Sequence, residues 1–216
     1  MIKKKFVALA GLASLLYAGV GYASNSVTVD GAIYTLTYSG SALPDLDPAH
    51  ETFRVTLGID TNAYSGGGSF LDNVAIKVSS AATGALFSAP GGTGNWSLLA
   101  GGLNSGGCDG SGSGFICANG LANSGKGVAV TTGNGAGIDY AFTFDVTMAN
   151  GALFTGLDAA SIKARYVKAD GHMAGGLVSN GITLSVPEPE SYAMLLAGLG
   201  LMGFIARRRK QQDAAA

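Results

Sequence analysis

The side chains that could do chemistry are few in this chain. Histidine occurs twice, at His50 and His172, and any histidine-based hydrolase would have to bring one of them against Asp45 or Asp47. No Gly-x-Ser-x-Gly elbow is present to lift a nucleophilic serine out of a strand-to-helix turn. Glu51 is the only glutamate between residues 24 and 186, so a glutamate pair for glycoside hydrolysis cannot be assembled there. Most aspartates (Asp30, Asp60, Asp72, Asp170) flank expected turns, where a carboxylate bonds local backbone. The segment Asp45-Leu-Asp47 with His50 and Glu51 is the best cluster. Alternating carboxylates supply hard oxygen ligands, so Asp45, Asp47 and Glu51 are a candidate Ca²⁺ set. They lack the glycine and the spaced ligand series of an EF-hand, and a solvated acidic loop is the competing reading. Trp96 and the tyrosines allow either a sugar-stacking platform or core packing. Nothing in this inventory calls for a cofactor, and we expect no enzyme.

Cys108 and Cys117 are the only cysteines. Their spacing is not Cys-x-x-Cys and no histidine lies near, which argues against a metal. The two read as a disulfide, the usual fate of two cysteines outside a reducing cytosol, and closing so short a loop adds about 2 to 3 kcal/mol in the chain-entropy picture.

The elements that must position these groups are strands. Val27 and Val29 alternate with polar residues, Asp30-Gly31 supplies a hairpin turn, and Tyr34, Leu36 and Tyr38 alternate again. A polar loop with two prolines follows over residues 43–51, then Phe53, Val55, Leu57 and Ile59 share a face. Val74, Ile76 and Val78 read as a half-buried strand; Tyr140, Phe142, Phe144, Val146 and Met148 make the clearest one. Ile162, Ala164 and Tyr166 form another, and Ile182, Leu184 and Val186 close the set. Residues 101–127 are low in complexity and read as a polar loop around the cysteines. Eight to ten strands with turns every dozen residues point to an all-β fold, a single antiparallel β-sandwich of jelly-roll or Ig-like type. Residues 24–186 carry six basic and eleven acidic side chains, about −5, which argues against nucleic acid as a partner. Charged residues are only 12% of the chain, a habit of extracellular β proteins more than of cytoplasmic enzymes.

Both ends are membrane-seeking. Residues 1–23 join Lys3-Lys4-Lys5 to an apolar stretch and end in Gly21-Tyr22-Ala23. This reads as an N-terminal signal-peptide helix taken by the Sec translocon and cut by signal peptidase between Ala23 and Ser24. At the other end Pro187-Glu188-Pro189-Glu190 is held extended by prolines that lack a donor and fix φ. Residues 192–206 carry no charge and read as a C-terminal transmembrane helix. At about 1.5 Å per residue it would be about 22 Å long, short of a roughly 30 Å hydrocarbon core. Arg207, Arg208, Arg209 and Lys210 then anchor it on the cytoplasmic side, followed by a tail over residues 211–216. The formal G-x-G-x-x-G at Gly198, Gly200 and Gly203 follows no strand and is not a nucleotide motif.

This order of acidic Pro-Glu-Pro motif, short apolar span and basic plug resembles the PEP-CTERM sorting signal of Gram-negative bacteria. The resemblance covers roughly residues 186–210. It implies an exosortase, a membrane-embedded cysteine protease-transpeptidase, as the partner that reads Pro187, Glu188 and Pro189 and removes the signal. It implies export across the inner membrane, transient anchoring there, and delivery to the cell surface or extracellular matrix, with a link to exopolysaccharide and biofilm. Three readings of the body at residues 24–186 stay open: a non-enzymatic surface or matrix protein, a carbohydrate-binding sandwich, and a secreted hydrolase.

Overall fold

The computed structural model describes residues 22–39, 42–44, 47, 49–78, 82–109, 112, 114–149, 160–182, 198–200 and 202. In chain order the strands begin with β1 (Tyr22–Val29), β2 (Ala32–Ser39), β3 (His50–Asp60), β4 (Phe70–Lys77), β5 (Thr83–Ser88) and β6 (Trp96–Ala100). They continue with β7 (Leu103–Asn104), β8 (Gly107–Cys108), β9 (Phe115–Gly120), β10 (Val128–Ala129), β11 (Tyr140–Ala149), β12 (Ser161–Val167) and β13 (Val178–Gly181). One antiparallel sheet has the order β1-β2-β3-β11-β5, and a second has the order β13-β12-β4-β9-β6 with β10 extending the β9 side of β4. The fold is mostly β, as the alternating residues require.

The first hairpin follows local chemistry. Asp30 and Gly31 both take positive φ, 49° and 78°, which matches the twist of paired strands. A side chain at position 31 would also run into the Ala63 carbonyl, 1.9 Å from where its Cβ would lie. From this turn β1 and β2 pair from Val29 with Ala32 down to Tyr22 with Ser39. Strand β1 thus extends through Ala23 and Ser24, the expected cleavage point, while residues 1–21 lie outside the described ones.

Alternation then decides the core. Tyr34, Leu36, Val55, Leu57, Ile59, Phe142, Phe144 and Val146 turn one way from the first sheet. Val74, Ile76, Ile116, Ala118, Ile162, Ala164 and Tyr166 from the second join them in one buried cluster. Two contacts tie the sheets directly. Trp96 meets Phe142 edge to face at 4.7 Å between ring centroids, and the Tyr34 and Tyr166 hydroxyls are 2.7 Å apart.

Two sequence expectations change here. Residues 101–127 are not all loop, because β9 runs between β4 and β6 in the second sheet. Ile116 and Ala118 face the main core, and Cys117 faces the other side, buried under the β7–β8 hairpin with Ala75 and Leu103. A strand needs only a few correctly spaced apolar residues, and Phe-Ile-Cys-Ala supplies them inside an otherwise Gly-rich stretch. The same hairpin explains why β4 is buried on both faces, from Leu71 to Ile76, where its pattern suggested one.

Both chain ends leave the described body from one end. Strand β1 starts, and β13 finishes, beside the rows that hold Ser39, His50 and Ala149 in one sheet and Ser161, Lys77 and Phe115 in the other. Gly84 on β5, level with Val146, abuts Ile116 and fixes that these rows share an end.

Candidate functional site

The acidic cluster is the first candidate. Asp45 lies outside the described residues. The Asp47 carboxylate accepts the Ala49 N–H at 2.9 Å and faces His50 Nδ1 at 2.7 Å. The Ala49 N–H, and then His50, hold its carboxyl below the usual range. Strand β3 begins at His50, earlier than the loop expected over residues 43–51, and the bridge from Leu43 to Thr52 closes that loop. Because strand side chains alternate, Glu51 falls on the side of buried Phe53, and His50 on the side of Thr52. Burial, with the charge of Glu51 beside it, pushes Tyr38 up to about 12. Among the described residues no three His, Cys, Asp or Glu side chains gather as a metal would require.

The two histidines are not brought together. His50 opens β3 at the end where the chain termini leave. His172 sits in the turn after β12 at the other end, its N–H on Asp170 and its carbonyl accepting from Lys168. Trp96 is only 5% exposed; its indole N–H donates to the Pro90 carbonyl at 2.9 Å. Of its two readings, sugar platform or core packing, Trp96 takes the second: a ring closed against Phe142 in the core is not presented to a glycan.

Cys108 and Cys117 are joined, with Cα atoms 5.8 Å apart. The bond fastens the β7–β8 hairpin to β9 and over a polar cluster on the outer side of the second sheet. There the β4–β12 register slips between Arg165 and Tyr166, so Arg165 pairs with Asn73 and Tyr166 with Leu71. Asp72 is the extra residue of this bulge. Its carboxylate lies 3.3 Å from Arg165 Nη1, with both side chains largely buried. Burial raises the Asp72 carboxyl, against the opposing pull of Asn73 and Arg165. Among the described residues Asp72 Oδ1 and Arg165 Nε have no hydrogen-bond partner. Gly107 lies directly above, where a Cβ would come within 2.9 Å of Arg165 Nη1. Sequence reading took Asp72 for a turn residue; only the bulge, which depends on pairing with a strand ninety residues away, could have revealed its role.

The second loop cluster joins Asp60, Thr61 and Asn62 to the segment from Thr131 to Asp139. Thr61 is fully buried; its N–H donates to Asp139 Oδ2 at 2.7 Å, and its one hydroxyl proton faces two acceptors, the Thr131 carbonyl at 2.6 Å and Asp139 Oδ2 at 2.9 Å. Asp60 accepts from Asn62 and Gly137, and Asn62 from Gly135. These carboxylates stitch loop backbone, which is the role expected for turn aspartates.

What remains is the C-terminal segment. The sorting residues Pro187, Glu188 and Pro189 and the basic run Arg207, Arg208, Arg209 and Lys210 lie outside the described residues; Gly198, Leu199, Gly200 and Met202 are helical. Among the described residues no helix is long and apolar enough to cross a membrane. The body just ahead is an antiparallel β domain with one described disulfide, ending at buried Ile182. Comparison with known protein families matches residues 185–210 to the PEP-CTERM protein-sorting motif. The chain therefore carries a PEP-CTERM signal, which implies export, an exosortase as processing partner, and membrane-anchored sorting to the cell surface. No curated protein matches the chain, and no solved structure does.

Proposed function

We propose that the two sheets form a single sandwich domain that serves as a non-enzymatic component of the cell surface or extracellular matrix. The domain crosses the inner membrane through the Sec translocon, loses residues 1–23 to signal peptidase, and stays anchored by residues 192–206 until the exosortase cuts. The observation that carries this reading is the sorting motif at residues 185–210, which follows the folded body after Ile182 with only a few residues between. A span of about 22 Å mismatches the bilayer and suits a temporary anchor. His50 does meet Asp47, but at a loop open to solvent and with no Gly-x-Ser-x-Gly elbow in the sequence, which supports a role without hydrolytic chemistry. Delivery to an exopolysaccharide or biofilm matrix is the destination we favour.

The test is intact-mass measurement of surface-located protein. Wild-type protein should lack Arg207 to Lys210, and a variant with Pro187, Glu188 and Pro189 changed to Ala should remain in the membrane with that tail attached. Surface protein that still carries the four cations would rule the reading out.

A further inference from the structure

We propose that Lys77, Lys163 and Phe115 form a lipid-facing corner that seats the domain on an anionic bilayer surface while its C-terminal span holds it there. This rests on the anchoring argued above; what it adds is which face of the body turns toward lipid.

The chain positions that corner. Ile182 is 3% exposed and its N–H donates to the Ala160 carbonyl at 2.9 Å, so the body is continuous to that residue. Four residues separate Ile182 from Pro187. Five residue steps reach at most about 17 Å when fully extended. The end of the body that carries Ile182 is therefore confined to the neighbourhood of the bilayer. Along that end the second sheet lines up Gly181, Ser161, Lys77 and Phe115 as successive partners across four strands.

The side chains there suit an interface of lipid headgroups. Phe115 is partly exposed, with Lys77 Nζ 5.6 Å and Lys163 Nζ 4.6 Å from its ring centroid. Leu99, paired with Cys117 on the next strand, is 41% exposed on the same outer side. Rings and aliphatic stems can enter the headgroup layer while ammonium groups meet phosphate. The body's other cations are engaged or remote. Arg54 is held by Asp145 and Arg165 faces Asp72, while Lys126 beside Phe70 and Lys168 near His172 lie at the far end. Among the described residues neither Lys77 nor Lys163 has a carboxylate partner; Lys163 donates to the Leu103 carbonyl at 3.1 Å.

Magnitudes decide when this contact exists. A lysine at an anionic surface gains about a fivefold preference for it. Two such residues cannot hold a free domain of charge about −5. Tethering makes the contact intramolecular, so a weak preference is enough to orient the body. Asp47, in the loop before β3, and Glu51, on β3, sit at the same end beside the first sheet and repel the surface, which tilts the body onto its second-sheet corner. Cutting the tether then removes the only term that kept the contact, and the acidic domain leaves.

The test uses the full precursor kept uncut by changing Pro187, Glu188 and Pro189 to Ala. It is reconstituted in vesicles of phosphatidylcholine alone or with phosphatidylglycerol, and lysine acetylation is followed by mass spectrometry. Lys77 and Lys163 should react about fivefold more slowly in the anionic vesicles, with the difference erased by high salt. Lys126 and Lys168 should react equally in both. Because the folded body is unaltered, misfolding cannot mimic the result. Equal rates for all four lysines in a precursor that floats with the vesicles would overturn the inference and leave anchoring intact. A precursor that does not float would overturn both. Protection of Lys77 and Lys163 in the cut protein by a soluble polyuronate, with none from vesicles, would assign the corner to an acidic glycan and overturn the lipid assignment.

Discussion

The Tyr34 hydroxyl lies 2.7 Å from that of Tyr166, joining β2 of one sheet to β12 of the other across 132 residues of sequence. Both residues are almost fully buried, and Tyr64 stacks on Tyr166 at 4.4 Å between ring centroids. A buried hydroxyl is tolerated only when it has a partner, so these two tyrosines satisfy each other inside an apolar layer. Changing either one alone to Phe strands the other hydroxyl and should cost about 1 to 3 kcal/mol. Changing both to Phe should cost less than the sum. Urea unfolding of the four proteins in a double-mutant cycle measures the difference, and strict additivity would remove the pair's energetic role.

The same burial makes an alkaline prediction. Desolvation pushes Tyr34 and Tyr166 well above the ordinary value of 10, and takes Tyr38 up to about 12. Groups whose folded pKa is raised bind more protons in the folded state. Stability should therefore be full below pH 10 and fall as pH rises from 10 through 12. Ultraviolet titration should find these rings ionising only as the fold is lost. Three tyrosines titrating near 10 in folded protein would contradict the packing.

Asp139 makes the opposite prediction on the acid side. Burial raises its carboxyl, but the Thr61 N–H, the Asn134 amide and the Thr61 hydroxyl outweigh that and leave it lowered below 3.8. Its contribution is present above pH 3.8 and lost as pH falls below that value. Changing Asp139 to Ala leaves the Thr61 N–H unmet, while the Thr61 hydroxyl keeps the Thr131 carbonyl, and should cost about 1 to 3 kcal/mol at neutral pH. The variant should also lose stability less steeply than wild type between pH 4 and 2, read by circular dichroism during acid titration.

Asp72 and Arg165 should respond asymmetrically. Removing one partner leaves a buried charge, so Asp72→Ala or Arg165→Ala should each cost about 3 to 5 kcal/mol. A double change to Asn and Met should recover most of that loss, since the pair already leaves Asp72 Oδ1 and Arg165 Nε unmet. Thermal unfolding of single and double variants decides it.

The disulfide should matter to the hairpin and little to the sheets. Replacing Cys108 and Cys117 by Ser should cost about 2 to 3 kcal/mol. Hydrogen exchange should quicken at Leu103 to Asp109, where only two residue pairs form the β7–β8 ladder. It should stay slow at Ile116 and Ala118, which β4 and β6 hold from both sides. Thiol alkylation of exported wild-type protein should modify neither cysteine unless the protein is first reduced.

Much of this molecule is written in local patterns. Alternation along Tyr34 to Tyr38, Phe53 to Ile59 and Tyr140 to Met148 specifies strands and their buried faces, because side chains in a strand alternate by geometry. Asp30-Gly31 specifies its turn, because few residue pairs accept two positive φ angles. The sorting motif is legible for a similar reason: prolines, an uncharged run and a basic plug act in linear order and need no fold around them. Pairing between distant strands decided the rest. It made a strand of Phe115 to Gly120, settled Trp96 as core where the sequence allowed core or platform, and bulged Asp72 onto Arg165. Each of those outcomes depends on which strand lies alongside and in what register. That choice follows from burial summed over both sheets, a quantity no stretch of ten residues contains.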